Sequence, residues 1–125
     1  MKQIKTDDAP KADHILSQAL IVDNTIYLAG QIHNKPDGSL VEGSVADKLK
    51  QVMSNVEAIL DAAGAKLDDV VKITIYLTDM AMLPEFNEAY SGYFSEPFPV
   101  REAVCVKALP LGADIELSVT AARKD

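Results

Sequence analysis

Two side chains stand out for the chemistry they could do: Arg101 at the head of VREAVCVKAL, and Glu116 inside ADIELSV. A guanidinium presents a planar fork of donors that matches the two oxygens of a carboxylate. Pro97-Phe98-Pro99 stands just before Arg101 and stiffens the backbone that carries it. Arg101 therefore reads in two ways, as a clamp for a small carboxylate or as half of a structural ion pair. Glu116 falls on the polar parity of its run, beside Asp114 and Ser118. It reads either as a carboxylate that orients water or takes a proton, or as a solvated strand residue. His14 and His33 have no cysteine or carboxylate at ligand spacing, so no metal site is expected. Cys105 lacks a histidine partner and reads as a small apolar filler. The sequence shows no glycine-rich phosphate loop and no Ser-His-Asp order.

These residues need elements to hold them. Residues 100–108 read as a strand in which successive side chains alternate faces. Arg101, Ala103, Cys105 and Lys107 then share one face; Glu102, Val104, Val106 and Ala108 share the other, which is expected under the helices. Arg101 is thus expected on the side away from the helices. Residues 113–121 read as a further strand, and a hairpin with 100–108 would bring Glu116 toward the Arg101 face. In SVADKLKQVMSNVEAILDAAG, apolar residues recur at steps of three and four from Val45 to Ala63, which predicts a helix. Ser44 is its expected N-cap, Asp47 the capping-box partner and Gly64 the stop. LPEFNEAYSGYF predicts a second helix, with Pro84 in its first turn and an apolar stripe through Phe86, Tyr90 and Phe94. DDVVKITIYLTD alternates as a half-buried strand, and 19–29 form two strands around Asp23-Asn24.

The order of strands, helix, strand, helix and two strands predicts an α+β fold, with both helices on one face of a mixed sheet. The opposite face, assigned Tyr76, Ala103, Cys105 and Leu109, is too apolar for free water, so an oligomer is expected to cover it.

The length of 125 residues fits one domain spanning 1–125. A formal net charge of −7 argues against nucleic acid as a partner, because a phosphate-binding face must be basic. No apolar run approaches the roughly 20 residues that span a membrane. The opening MKQIKTDDAP has neither the apolar core of a signal peptide nor the Arg-rich pattern of a transit peptide. A cytoplasmic location is expected, ahead of a mitochondrial one.

Along nearly its whole length the chain resembles the RidA/YjgF family of imine deaminases, its fungal-type members most of all. The matching stretches are SQA at 17–19, AGQI at 29–32, NVEAILDAAGAKLDDVVKITIYLTDM at 55–80, FNEAY at 86–90, FPVRE at 98–102 and LPLGADIEL at 109–117. The resemblance implies a chorismate-mutase-like homotrimer with a site in each inter-subunit cleft. It implies hydrolysis of short 2-imino acids to 2-keto acids and ammonia, without a cofactor. Arg101 would bind the substrate carboxylate and Glu116 would hold the water. Leu16, Gly30, Gln31, Asn87 and Ala103 fall on the family's other substrate-binding positions. Leu16 stands where the family has tyrosine, His33 where it has proline, Glu102 where it has a small residue, and Ala103 where cysteine is common. These departures imply an altered substrate or a weakened deaminase, with a non-catalytic binder of small carboxylates such as 2-keto acids as the alternative.

Overall fold

The computed structural model describes residues 1–124. Seven strands, β1 (Lys2–Ile4), β2 (Ala19–Val22), β3 (Thr25–Leu28), β4 (Gln31–Ile32), β5 (Val70–Leu77), β6 (Val100–Cys105) and β7 (Ile115–Ala122), form one mixed sheet. Its order is β1-β2-β3-β7-β5-β6, with β4 also paired to β7. Helices α1 (Val45–Ala62) and α2 (Leu83–Tyr90) pack on one face, giving the expected α+β class.

Helix α1 forms where its periodicity predicts. Its buried stripe holds Leu49, Val52, Met53, Val56, Ile59 and Leu60. Burying each such side chain stabilises by roughly 1.5–3 kcal/mol. The Ser44 hydroxyl accepts from the Asp47 amide at 3.1 Å, and the Asp47 carboxylate accepts from the Ser44 amide at 3.2 Å. The chain leaves the helix through Gly64 at φ +77°, a left-handed conformation that favours glycine. Strands β5 and β7 supply the facing layer with Ile73, Ile75, Leu77, Ile115, Leu117 and Val119. Truncating Leu60, wholly buried in the last turn of α1, is the kind of change that costs about 2–5 kcal/mol.

The last two strands depart from expectation. β6 pairs in parallel with β5, and β7 lies antiparallel on β5's other side, so no hairpin joins β6 to β7. The face assignment of β6 is also reversed. Arg101, Ala103 and Cys105 register with Ile73, Ile75 and Leu77, the core-facing residues of β5. Glu102 and Val104 register with Thr74 and Tyr76 on the outer face. The cause is that β6 is an edge strand: Val100 and Val104 stay exposed, so apolarity there does not report the buried side. Glu102 therefore does not enter the core. It is exposed, beside Thr74 Oγ1 at 3.4 Å and Lys72 Nζ at 3.9 Å.

The outer sheet face is uncovered in the single chain. Val22, Tyr27 and Val104 are exposed large apolar groups on it. Their neighbours Ser118, Thr120 and Ala122 are small. An apolar outer face is thus present, although Ala103 and Cys105 are not part of it.

Candidate functional site

The sequence-selected residues fall into two groups. The first surrounds Arg101. The β5–β6 crossover lays α2 beside the β6 edge, and Arg101 lies against that helix. Its Nη2 donates to Asn87 Oδ1 at 2.6 Å. Its Cζ sits 4.8 Å from the centroid of the Tyr90 ring, a cation–π distance. Tyr90 is itself wedged between Phe86 at 5.6 Å and Phe94 at 5.2 Å, centroid to centroid. Phe86 is wholly buried, so the aromatic ladder anchors the guanidinium to the core. Burial pushes the Tyr90 phenol above its ordinary value, with Arg101 opposing, so the ring stays neutral. Among the described residues, no carboxylate lies within ion-pair distance of Arg101. Ala103, two residues along the same face, is half-buried against the core.

The second group lines a cavity of about 550 Å³ that includes Leu16, Gly30, Gln31, Pro110, Leu111 and Glu116. Glu116 projects from the outer face of β7, opposite Tyr76. Burial raises its carboxyl above the usual carboxylate range. Its carboxylate rests on the Gly30 backbone: a Cβ at residue 30 would stand 2.3 Å from Glu116 Oε2. The absence of a side chain at Gly30 is thus what lets the carboxylate lie against this backbone. Strand β4 holds this gap, with Ile32 paired to Glu116 and Gln31 to Leu117. The buried Gln31 amide donates to Ala29 O at 3.1 Å, so it braces the Gly30 bend.

Three buried polar side chains shape the cavity walls. Gln18 Oε1 accepts from the Thr6 amide at 2.8 Å, and Nε2 donates to the carbonyls of Thr6, Ala9 and Pro10 at 2.9–3.2 Å. This ties down the segment that leads into Leu16, a residue 42% exposed on the wall. Asn55 donates from α1 to Ile32 O at 3.3 Å and Asn34 O at 2.8 Å. His33, 1% exposed, meets Val41 O through Nδ1 at 3.0 Å and accepts from the Asp114 amide at Nε2, 2.9 Å away.

The two groups do not meet within one chain. Arg101, Asn87 and Ala103 lie on the helix side of the sheet; Glu116 lies on the outer side, with β5 between their strands. The expected approach of Glu116 to Arg101 through a hairpin is overturned by this topology. Tyr90 carries no sequence signal as a site residue, because its position in an apolar helical stripe marks it as core. Among the described residues, no group of three or more His, Cys, Asp or Glu could hold a metal ion.

Comparison with known proteins matches residues 6–123 to the family described as endoribonuclease L-PSP. Protein HMF1 of Saccharomyces cerevisiae is 46% identical over 119 residues, covering 95% of this chain and 92% of the relative. The human protein named 2-iminobutanoate/2-iminopropanoate deaminase is 45% identical over 119 residues, covering 94% of this chain and 87% of the relative. The crystal structure of Escherichia coli TdcF with bound serine superposes with a TM-score of 0.91 at 31% identity, covering 99% of this chain and 100% of that one.

Proposed function

Since the chain belongs to the YjgF/RidA family, described as endoribonuclease L-PSP, we propose that it hydrolyses reactive short-chain 2-imino acids to 2-keto acids and ammonia. The sites would lie in clefts where one protomer's Arg101 group meets another's Glu116 group, in a homotrimer of the family's type. The observation that carries this reading is Arg101: a guanidinium fixed by Asn87 and Tyr90, with no carboxylate of its own chain within ion-pair distance among the described residues. Such a group is built to receive a carboxylate from outside the chain. The uncovered outer face, which carries Glu116, supplies apolar area for a subunit contact.

The chemistry follows from the two groups. Arg101 holds the substrate carboxylate and so fixes the imine carbon one bond away. Glu116 accepts a proton from a water molecule as the water oxygen bonds to that carbon. Glu116 passes the proton to nitrogen, and the carbon–nitrogen bond breaks with its electron pair leaving on ammonia. The hydroxyl proton returns to Glu116 as the carbonyl forms and is handed to the departing ammonia as ammonium. The iminium and water are converted to the keto acid and ammonium, with no redox change and no cofactor.

A binding reading is favoured by one observation. Leu16 and Leu111 turn exposed apolar side chains to the cavity, and Leu16 offers no hydrogen bond. This wall suits a carboxylate with an aliphatic tail, as altered specificity or as keto-acid binding without turnover. RNA cleavage, suggested by the family description, sits poorly with a net charge of −7. The proposed location is the cytoplasm; no helix among the described residues is long and apolar enough to cross a membrane.

The test generates 2-iminobutanoate in place with threonine dehydratase and traps what remains with semicarbazide. The protein should lower the trapped amount, and Arg101→Ala should restore it. Trapping that is unchanged by the wild-type protein refutes the deaminase. Thermal protection by 2-keto acids in that case would support the binder.

A further inference from the structure

We propose that His33 is a positioning residue, a neutral imidazole clamp that joins two walls of the Glu116 cavity and releases them when it is protonated. The inference deepens the reading of Glu116 given above, and it rests on bonds that involve neither substrate nor Arg101.

The clamp is defined by its connections. The Nε2 atom accepts from the Asp114 amide, so it must carry a lone pair and not a proton. The proton of the neutral ring then sits on Nδ1 and is donated to Val41 O. The Val41 amide returns a bond to His33 O at 2.8 Å. That pair closes the loop containing Asn34, Pro36 and Gly38, which forms one wall of the cavity. Asp114 stands between Pro110-Leu111, on another wall, and Glu116 itself. His33 also directly follows β4, whose two residues hold Gly30 against the Glu116 carboxylate. So short a strand has few ladder bonds of its own, and the imidazole supplies the cross-link at its end.

A second proton would turn Nε2 into a donor facing the Asp114 N–H, and that bond would be lost. The charged neighbours do not reverse this. Lys48 from α1 opposes a positive ring, while Asp114 and Glu42 favour it; Asp114 is itself ion-paired to Lys48 and accepts from Thr78 Oγ1. Burial is the largest influence and holds the imidazole below its ordinary value of 6.5. A folded-state value below the unfolded one means that the unfolded chain binds more protons in between. The clamp's contribution to stability is therefore complete above about pH 6.5 and is lost as pH falls through the depressed value.

The experiment is a pH series of amide exchange and ¹⁵N imidazole spectra on the full chain, which reads the clamp whether or not the protein turns over an imine. At neutral pH the ring should show the Nδ1–H tautomer. As His33 titrates, protection of the Asp114 and β4 amides should fall together by about tenfold, the equivalent of one net hydrogen bond. His33→Gln, whose carbonyl can still accept from Asp114, should make that protection independent of pH. Glu116→Gln, which leaves the imidazole in place, should keep the wild-type course. Protection that stays constant while His33 titrates, or that follows Glu116 instead, overturns the proposal.

Discussion

The Arg101 and Glu116 groups achieve precision by opposite means. Arg101 sits on an exposed edge strand and is held from outside the sheet by a helix, through one short hydrogen bond and one aromatic face. Glu116 sits on a strand paired on both sides and is shaped by backbone, with Gly30 beneath it and β4 alongside. The first group presents a guanidinium fork. The second carries a titratable charge whose protonation burial favours. In the proposed reaction, recognition falls to the guanidinium and proton transfer to the carboxyl group.

The largest effect separating the groups should come from Arg101→Ala. If the guanidinium positions the substrate, kcat/KM for imine hydrolysis should fall by about 100-fold or more. Arg101→Lys should recover little of it, since a point charge does not reproduce the fork or its stacking on Tyr90. Full recovery by lysine, measured in the trapping assay, would reduce Arg101 to a source of charge. Glu116→Gln comes next, with kcat lowered about 100-fold at neutral pH, the low end of general acid–base contributions. Its stability should move the other way. A carboxyl raised in the folded state stabilises fully only below its unfolded value, near 4.5, and loses that contribution as pH rises through the raised value. Removing the charge should raise Tm at pH 7 relative to wild type, and this difference should vanish in acid. Gly30→Ala should show the smallest change, a loss of about tenfold in kcat, because the new Cβ displaces a flexible carboxylate tip rather than backbone. Its Tm should hold or rise slightly, as glycine replacement reduces unfolded-chain entropy. A marked drop in Tm would place the crowding in the backbone instead.

How far these groups are legible in the sequence depends on where their partners lie. Helix α1 is readable almost to the residue, because its stripe, its Ser44–Asp47 box and its Gly64 exit are all local. The strands before and after it are recognisable from alternation. The side to which β6 turns Arg101 is not, because an edge strand has one neighbour and its valines remain exposed on the outer face. Strand β4 is two residues long and exists only through pairing with a segment more than eighty positions away. Gly30 reads as a glycine of a turn or of tight packing; the structure shows the second, and its packing partner, the Glu116 carboxylate on a distant strand, has no local signal. Tyr90 belongs to its apolar stripe and also floors the guanidinium, and only the first role has a periodic signature.

The placement of Arg101 and Glu116 on opposite sides of one sheet has a genetic consequence. In the proposed trimer, Arg101→Ala and Glu116→Gln would damage different halves of a shared cleft, so mixed assemblies would contain some clefts built from the intact half of each. Random reassembly of equal amounts in a cyclic arrangement would leave about one cleft in four whole. Activity reborn from two dead preparations after joint unfolding and refolding would reveal the shared ownership of the site; a mixture that stays silent would confine each site to a single chain.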